Sequence, residues 1–188
     1  MTNLRLITPL LALSLTASAQ QPRGAQEALA SMASQPASHT AFTFDKDMLQ
    51  SAAGFIDDGS PEVHNVTAAL NSITVESFRY HEPAFYIPES MASLIAAYNR
   101  AGWKHLVNQN AASPRDATMP RKPMTDLWLH FRGAEIDDVT VLVRGPKNMN
   151  VIEVSGLLRP LDLVHLSGHF GIPKVDPDAV MVPAPPGR

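Results

Sequence analysis

The chain contains no cysteine, so it forms no disulfide and offers no thiolate metal ligand, no nucleophilic thiol and no cysteine for a lipid anchor. Basic residues are also outnumbered, since the chain has 15 Lys and Arg and 18 Asp and Glu. A nucleic-acid partner is not expected, since such proteins usually carry a basic stripe. No Gly-x-Ser-x-Gly motif of a serine hydrolase occurs. Stability must come from an apolar core, which 45% hydrophobic residues can supply.

The N-terminal segment has the three parts of a secretory signal peptide. Arg5 supplies a positive charge, an apolar run continues to Leu15, and Ala17-Ser18-Ala19 matches the small-x-small pattern of a cleavage site. The run is about a dozen residues long, whereas a membrane span needs about twenty. We therefore predict cleavage after Ala19 and a periplasmic or secreted bacterial protein with no membrane span in its mature form.

Two segments flank a central body and are rich in residues that disfavour packing. Residues 20–40 contain mainly Gln, Ala, Ser and Pro, which predicts a flexible leader. Residues 173–188 contain five prolines, which predicts a disordered tail. Residues 41–172 are enough for a single domain.

Helical and strand patterns alternate within this body. Helices are predicted after Asp45 as N-cap, around residues 62–70, from Pro88 to Gly102 and from Pro160 to Phe170. Strands are predicted at residues 73–80, 103–107, 126–132, 138–144 and 149–155, the last three as a meander. This order indicates the α+β class. We expect a two-layer sandwich with a mostly antiparallel sheet of four to five strands and two to three helices on one face.

One helix face carries residues that could bind a divalent metal. Asp162, His165 and His169 follow one another at helical spacings of three and four. The metalloprotease motif would place Glu after the first histidine, and Leu166 stands there instead. A solvated face of an amphipathic helix is the alternative interpretation.

Paired carboxylates occur at Asp57-Asp58 and at Asp137-Asp138. Neither pair shows the spaced oxygen ligands of a calcium loop, so we interpret both as charged turns. No cofactor is predicted.

Candidate binding residues lie in a long polar connection and in two strands. The connection, residues 108–124, contains Arg115, Arg121 and Lys122, which could meet an acidic partner or form a mobile hairpin tip. Trp103 and Trp128 occupy strand positions, where they either fill the core or line a ligand pocket.

Several short segments together carry a family resemblance. They are Ala101-Gly102-Trp103, the strands from Leu127 to Phe131 and from Val139 to Val143, and the ending in which Asn150 to Gly156 leads to Gly168-His169-Phe170-Gly171. In this order they resemble a bacterial family called Domain of Unknown Function 4252, over roughly residues 44–171. The resemblance implies an exported protein with no assigned reaction and, through neighbouring extracytoplasmic sigma-factor systems, a link to envelope signalling.

These observations favour binding over catalysis. The leading hypothesis is a non-enzymatic module that contacts another envelope protein through a sheet face or through residues 108–124. One alternative is a metal-assisted hydrolase that uses Asp162, His165 and His169. A second alternative is a small-ligand carrier with Trp103 or Trp128 in its pocket.

Overall fold

The computed structural model describes residues 21–32, 34–56, 61–108, 113–166 and 179–182. These residues form six helices and seven strands. The helices are α1 (Ala25–Met32), α2 (Lys46–Ile56), α3 (Pro61–Ala69), α4 (Pro88–Arg100), α5 (Pro114–Thr118) and α6 (Pro160–Leu166). The strands are β1 (Ala37–Asp45), β2 (Leu70–Tyr80), β3 (Lys104–Asn108), β4 (Met124–Arg132), β5 (Glu135–Arg144), β6 (Asn148–Leu158) and β7 (Ala179–Val182).

The seven strands form one antiparallel sheet in the order β1-β2-β6-β5-β4-β3-β7. β4, β5 and β6 make the predicted meander, and the predicted α+β sandwich is confirmed. The sheet has more strands than the four to five expected, because β1 and β7 were not predicted. β1 spans the end of the predicted leader and the start of the predicted domain, and β7 lies in the predicted tail.

Helices cover both faces of the sheet. Side chains alternate between the faces along a strand, and in β6 Met149 and Val151 join one core cluster while Ile152 and Val154 join another. The first cluster contains buried residues of α1 and α4, and the second contains buried residues of α2, α3 and α6. We call these the α1/α4 face and the α2/α3/α6 face. Because the central strands are apolar on both sides, the sheet needs a second helical layer beyond the one expected.

Helix α1 corrects the prediction that residues 20–40 form a flexible leader. Ala25, Ala28, Leu29 and Met32 are buried in the cluster that also contains α4 residues. Their spacing of three and four residues makes one helix face. The face is easily missed in the sequence because half of it is alanine.

Strand β7 corrects the prediction of a disordered tail for part of residues 173–188. Ala179–Val182 pair with β3 and form one edge of the sheet. This run contains no proline, so each residue can donate to the ladder, although prolines lie on both sides of it. The described sheet therefore extends past both ends of the predicted domain, residues 41–172.

Two helix ends follow their sequence signals. Oδ1 of Asp45 accepts a hydrogen bond from the Met48 amide at 2.9 Å and so caps α2. Gly102 has a φ of +82°, the left-handed conformation that ends α4 and favours glycine. The predicted last helix begins at Pro160 as expected, and its residues after Leu166 lie outside the described part of the chain. No helix in the described ranges is long and apolar enough to cross a membrane.

Candidate functional site

Five polar side chains cross the α1/α4 face of the sheet, one from each of five neighbouring strands. We call them the polar row. Its members are His39 in β1, Glu76 in β2, Glu153 in β6, Asp138 in β5 and His130 in β4.

The strand register brings the middle of the row together. Asp138 is paired directly with His130 on β4 and with Ser155 on β6. Glu153 lies two residues from Ser155 and is therefore the diagonal neighbour of Asp138 on the same face. Two carboxyl groups thus lie side by side, next to an imidazole.

The other end of the row lies on β2 and β1. Glu76 is paired with Val151, which is two residues from Glu153, so the two glutamates are also diagonal neighbours. Nε2 of His39 lies 3.3 Å from Oε2 of Glu76, and the His39 ring stacks on Phe78 with 4.3 Å between centroids. The row therefore has a histidine at each end and three carboxyl groups between them.

A β-bulge adds a further carboxylate at the His130 end. The register of β5 with β4 shifts between Asp138, opposite His130, and Ile136, opposite Phe131, which leaves Asp137 as an extra residue. Oδ1 of Asp137 lies 2.6 Å from Nδ1 of His130, and Oδ2 lies 3.1 Å from the guanidinium of Arg132. One ligand atom from each of His130, Asp137 and Asp138 lies within 4.8 Å of the other two.

The carboxyl groups in and beside the polar row repel one another when they are ionised. The pKa of Glu153 is raised to about 7, mainly by burial and in addition by the charges of Glu76 and Asp138. Burial also raises the pKa of Asp138, where the hydrogen bond from Ser155 opposes the shift and the charge of Asp137 adds to it. A cation placed among these groups would relieve their repulsion and favour their ionised forms. The row is therefore suited to a positively charged ligand.

Gln21 and an aromatic cluster border the row. Nε2 of Gln21 donates a hydrogen bond to Oε1 of Glu153, so the residues that precede α1 cover part of the sheet here. The Trp103 ring lies 5.3 Å from the His130 ring. Tyr98 packs edge-on against Trp103 at 5.0 Å, and its hydroxyl donates to Oγ1 of Thr140 at 3.1 Å. His130 thus packs against the ring of Trp103, which the Tyr98 ring in turn holds in place.

The two tryptophans predicted from the sequence fill the core. Trp128 is fully buried and is stacked between Tyr98 and His105, with 4.7 Å between centroids on each side. Trp103 is also buried, and its ring packs beside His130 of the polar row. Both residues therefore have the core role that the sequence analysis left open.

Of the three predicted metal ligands on α6, the structure describes the side chain of Asp162. Both carboxylate oxygens of Asp162 accept hydrogen bonds from Arg159, including 2.8 Å from its amide and 2.9 Å from its guanidinium. Asp162 is buried in this arrangement at the start of α6. The His165 side chain and the whole of His169 lie outside the described part of the chain.

The predicted binding cations lie at the opposite end of the sheet. Arg115 belongs to α5, and Arg121 and Lys122 follow it in the segment that leads to β4, all three exposed. The connection is more ordered than expected, because the Arg144 guanidinium donates to the carbonyl oxygen of Ala117 at 2.9 Å. Arg144 and Asp138 are six positions apart in β5, which corresponds to about 20 Å.

Arg144 also forms a buried ion pair with Asp126 at 2.9 Å. Nε2 of His105 lies 3.2 Å from the same carboxylate. Burial alone would raise the pKa of Asp126, but the hydrogen bond with His105 and the charge of Arg144 outweigh it, so the pKa lies below its ordinary value. This network fixes the base of α5.

Exposed apolar side chains accompany the three cations. The Tyr86 amide donates to the carbonyl oxygen of Thr118 at 2.8 Å, which brings two loops together. Next to this bond Phe85 is 49% exposed, Ile87 40% and Met119 47%. We call Phe85, Ile87 and Met119 the apolar patch.

Most residues of the polar row were not predicted from the sequence to belong to a site. Asp137-Asp138 was interpreted as a charged turn, whereas both residues belong to β5 at its bulge. Glu76 and Glu153 occupy polar positions in strands of alternating pattern, which is the signal that could have been followed. The sequence does not show that β2 pairs with β6. This pairing is what brings the carboxyl groups of Glu76 and Glu153 close together.

Comparisons with known proteins add no relative. No protein-family model matches the chain, and no curated protein or solved structure matches it. The resemblance to Domain of Unknown Function 4252 stays a prediction from the quoted segments.

Proposed function

We propose that the protein is a binding domain of the bacterial cell envelope whose ligand is a divalent metal ion held by His130, Asp137 and Asp138. The observation that carries this proposal is the approach of three ligand atoms to within 4.8 Å of one another. A metal bonded to nitrogen and oxygen at about 2.0–2.2 Å needs ligand atoms roughly 3–3.5 Å apart. Small side-chain rotations would therefore suffice.

The donor set favours zinc or manganese over calcium. One imidazole nitrogen and two carboxylates supply three ligands of the types that bind transition metals. Calcium prefers six to eight oxygen ligands. Water would complete the coordination, because His130 and Asp138 are only partly buried.

Metal binding at this site would replace two existing contacts. The Arg132 side chain is 76% exposed, so its ion pair with Asp137 contributes little and can be released into water. The hydrogen bond between His130 and Asp137 would give way to two metal bonds. Glu153 and Glu76 would supply further negative charge, since both lie in the same polar row.

The envelope location is supported by the signal-peptide pattern that ends at Ala19 and by the resemblance to an exported bacterial family. That family resemblance also supports a role in envelope signalling, in which a metal-bound and a metal-free form would be distinguished by a partner.

Calorimetric titration of the purified exported protein with Zn²⁺ and Mn²⁺ tests the proposal. We expect one bound ion per chain for the wild type. Asp138→Asn and His130→Ala should each weaken binding by about ten-fold or more, because each removes one ligand of three. His81→Ala is the matched control, an exposed histidine outside the polar row.

A second variant distinguishes the site from the one predicted in the sequence. His165→Ala with His169→Ala should leave the titration unchanged. Equal binding by the wild type, Asp138→Asn and His130→Ala would contradict the proposal, and loss of binding in the His165/His169 variant would favour the helix site instead.

A protein-binding role is a second candidate function, favoured by the apolar patch. Exposed apolar side chains that gather on a surface mark interaction sites more often than scattered ones do. Here they lie beside Arg115, Arg121 and Lys122. We propose a protein partner that presents an apolar side chain among acidic residues.

Co-purification from envelope extracts tests this second role. The partner should be captured by the wild type and lost by a variant with Arg115, Arg121 and Lys122 changed to Ala. Arg23→Ala with Arg79→Ala is a control that removes exposed cations from other places. An unchanged set of captured proteins would contradict the role of these three cations.

A further inference from the structure

Strand β1 ends the sheet on the side away from β7. It is nine residues long and pairs with β2 without a break, from Ala37 opposite Tyr80 to Asp45 opposite Ser72. No other described strand pairs with its outer edge. In an antiparallel ladder alternate residues direct their N–H and C=O groups to each side, so the outer edge presents a row of backbone donors and acceptors that no described strand uses.

The strand lacks the features that usually protect an edge. It contains no proline, glycine or lysine, and its register with β2 shows no bulge. Seven of its nine residues are exposed, and Phe42 is 51% exposed. A long, flat and accessible edge of this kind is suited to pairing with another strand.

The sequence of β1 is complementary to itself in one register. When two copies run antiparallel with Phe42 opposite Phe42, His39 of each copy lies directly opposite Asp45 of the other. His39 and Asp45 are six residues apart, so they share a face, and an imidazole lies opposite a carboxylate twice by symmetry.

Other symmetric registers lose this match. Centring the pair on Ala41 places His39 opposite Thr43 and Asp45 opposite Ala37. Centring it on Thr43 leaves His39 outside the paired segment. The match of an imidazole with a carboxylate therefore selects the register centred on Phe42, which also buries the exposed aromatic ring against its copy.

We infer that two copies of this chain associate through antiparallel pairing of their β1 strands, centred on Phe42. The two-fold axis is then perpendicular to the sheet, which keeps the α1/α4 faces of both copies on the same side. The two sheets become one continuous sheet of fourteen described strands. The two polar rows lie in line on one face, joined where His39 of each row approaches Asp45 of the second copy.

Sedimentation equilibrium of the purified exported protein tests the pairing. We expect a dimer for the wild type, and for Phe42→Lys a dissociation constant raised by about ten-fold or more, because two ammonium groups would meet at the axis. Leu161→Lys is the matched control, since it changes an exposed apolar residue outside β1, the polar row and the apolar patch. Circular dichroism confirms that each variant is folded. A monomeric wild type at about 100 µM, or Phe42→Lys that dimerises like the wild type, overturns the inference.

Cysteine cross-linking tests the register, and the absence of native cysteine makes each single substitution unambiguous. Directly opposed residues have Cβ atoms about 4.5–5.5 Å apart, whereas diagonal neighbours are about 7–8 Å apart. Under mild oxidation Phe42→Cys should form a disulfide-linked dimer at least five-fold faster than Ala41→Cys. Equal rates would contradict this register. A wild-type dimer that Phe42→Lys does not weaken would indicate that the copies associate through another surface. Binding of a peptide from a different protein at β1, instead of a second copy, would also overturn the inference.

Discussion

Glu153 and Asp138 lie diagonally across neighbouring strands β6 and β5, and burial raises the pKa of both carboxyl groups. Two partly buried acids on one sheet face cost folding free energy when both are ionised. The protein retains this arrangement next to His130, where a bound cation would offset the cost.

The first prediction concerns the pH dependence of stability. The pKa of Glu153 is about 7 in the folded chain and 4.5 without the fold, so the folded state holds the proton more tightly. The free energy of unfolding should therefore fall as the pH rises from about 4.5 to about 7. Glu153→Gln removes this loss and should be more stable than the wild type by about 2 kcal/mol at pH 8, and by much less at pH 5.

Urea unfolding in the presence of a chelator measures this difference. Glu82→Gln is the control, an exposed glutamate in the loop after β2. If Glu153→Gln raised the free energy of unfolding by the same amount at pH 5 and pH 8, ionisation of the Glu153 carboxyl group would not be the cause of the gain.

The second prediction concerns the ion pair at the base of α5. Arg144→Met leaves the buried carboxylate of Asp126 without its cation and should lower the free energy of unfolding by about 3–5 kcal/mol. Adding Asp126→Asn should restore much of the loss, because the unpaired charge is gone. Thermal unfolding of the two variants at pH 7 checks this, and equal losses in both would contradict the assignment.

The same network implies a loss of stability in acid. Because the pKa of Asp126 is lowered in the folded chain, the stabilisation is present above its unfolded value of 3.8 and is lost as the pH falls through the folded value. The double variant should lack this contribution.

The third prediction concerns the close approach of β6 to the end of α3. A Cβ atom on Gly156 would lie 2.6 Å from the carbonyl oxygen of Ala69 and 2.9 Å from Cα of Leu70. These are backbone atoms, so Gly156→Ala should lower the free energy of unfolding by about 1–3 kcal/mol. Leu157→Ala, at the exposed neighbouring position, should change it by less than about 1 kcal/mol, and chemical unfolding compares the two.

The fourth prediction tests whether α1 belongs to the folded domain. Met32 is buried between α1 and the sheet, so Met32→Ala should lower the free energy of unfolding by about 2–3 kcal/mol. Gln26→Ala, on the exposed side of the same helix, should have little effect. Equal stability of the two variants would restore the interpretation of residues 20–40 as a leader.

Much of the fold could be predicted because its elements have strong local patterns. The alternation of Ile73 and Val75 with polar residues predicts β2, and the apolar stripe between Pro88 and Gly102 predicts α4. Helix α1 was missed because its buried face is half alanine, and β7 was missed because prolines surround four strand-forming residues.

The candidate site could be predicted less well, for a physical reason. Its residues are polar positions of separate strands, and each looks like an ordinary solvent-facing side chain in its own strand. Only the order β1-β2-β6-β5-β4 and the bulge at Asp137 bring them together. Strand order is a long-range property that local patterns do not encode.

Anomalous diffraction from crystals soaked in Zn²⁺ or Mn²⁺ tests the central claim most directly. We predict one strong peak bounded by Nδ1 of His130 and by carboxylate oxygens of Asp137 and Asp138, at about 2.0–2.2 Å from each. A peak beside α6 instead, or no peak at the polar row when the metal is in excess, would contradict the account.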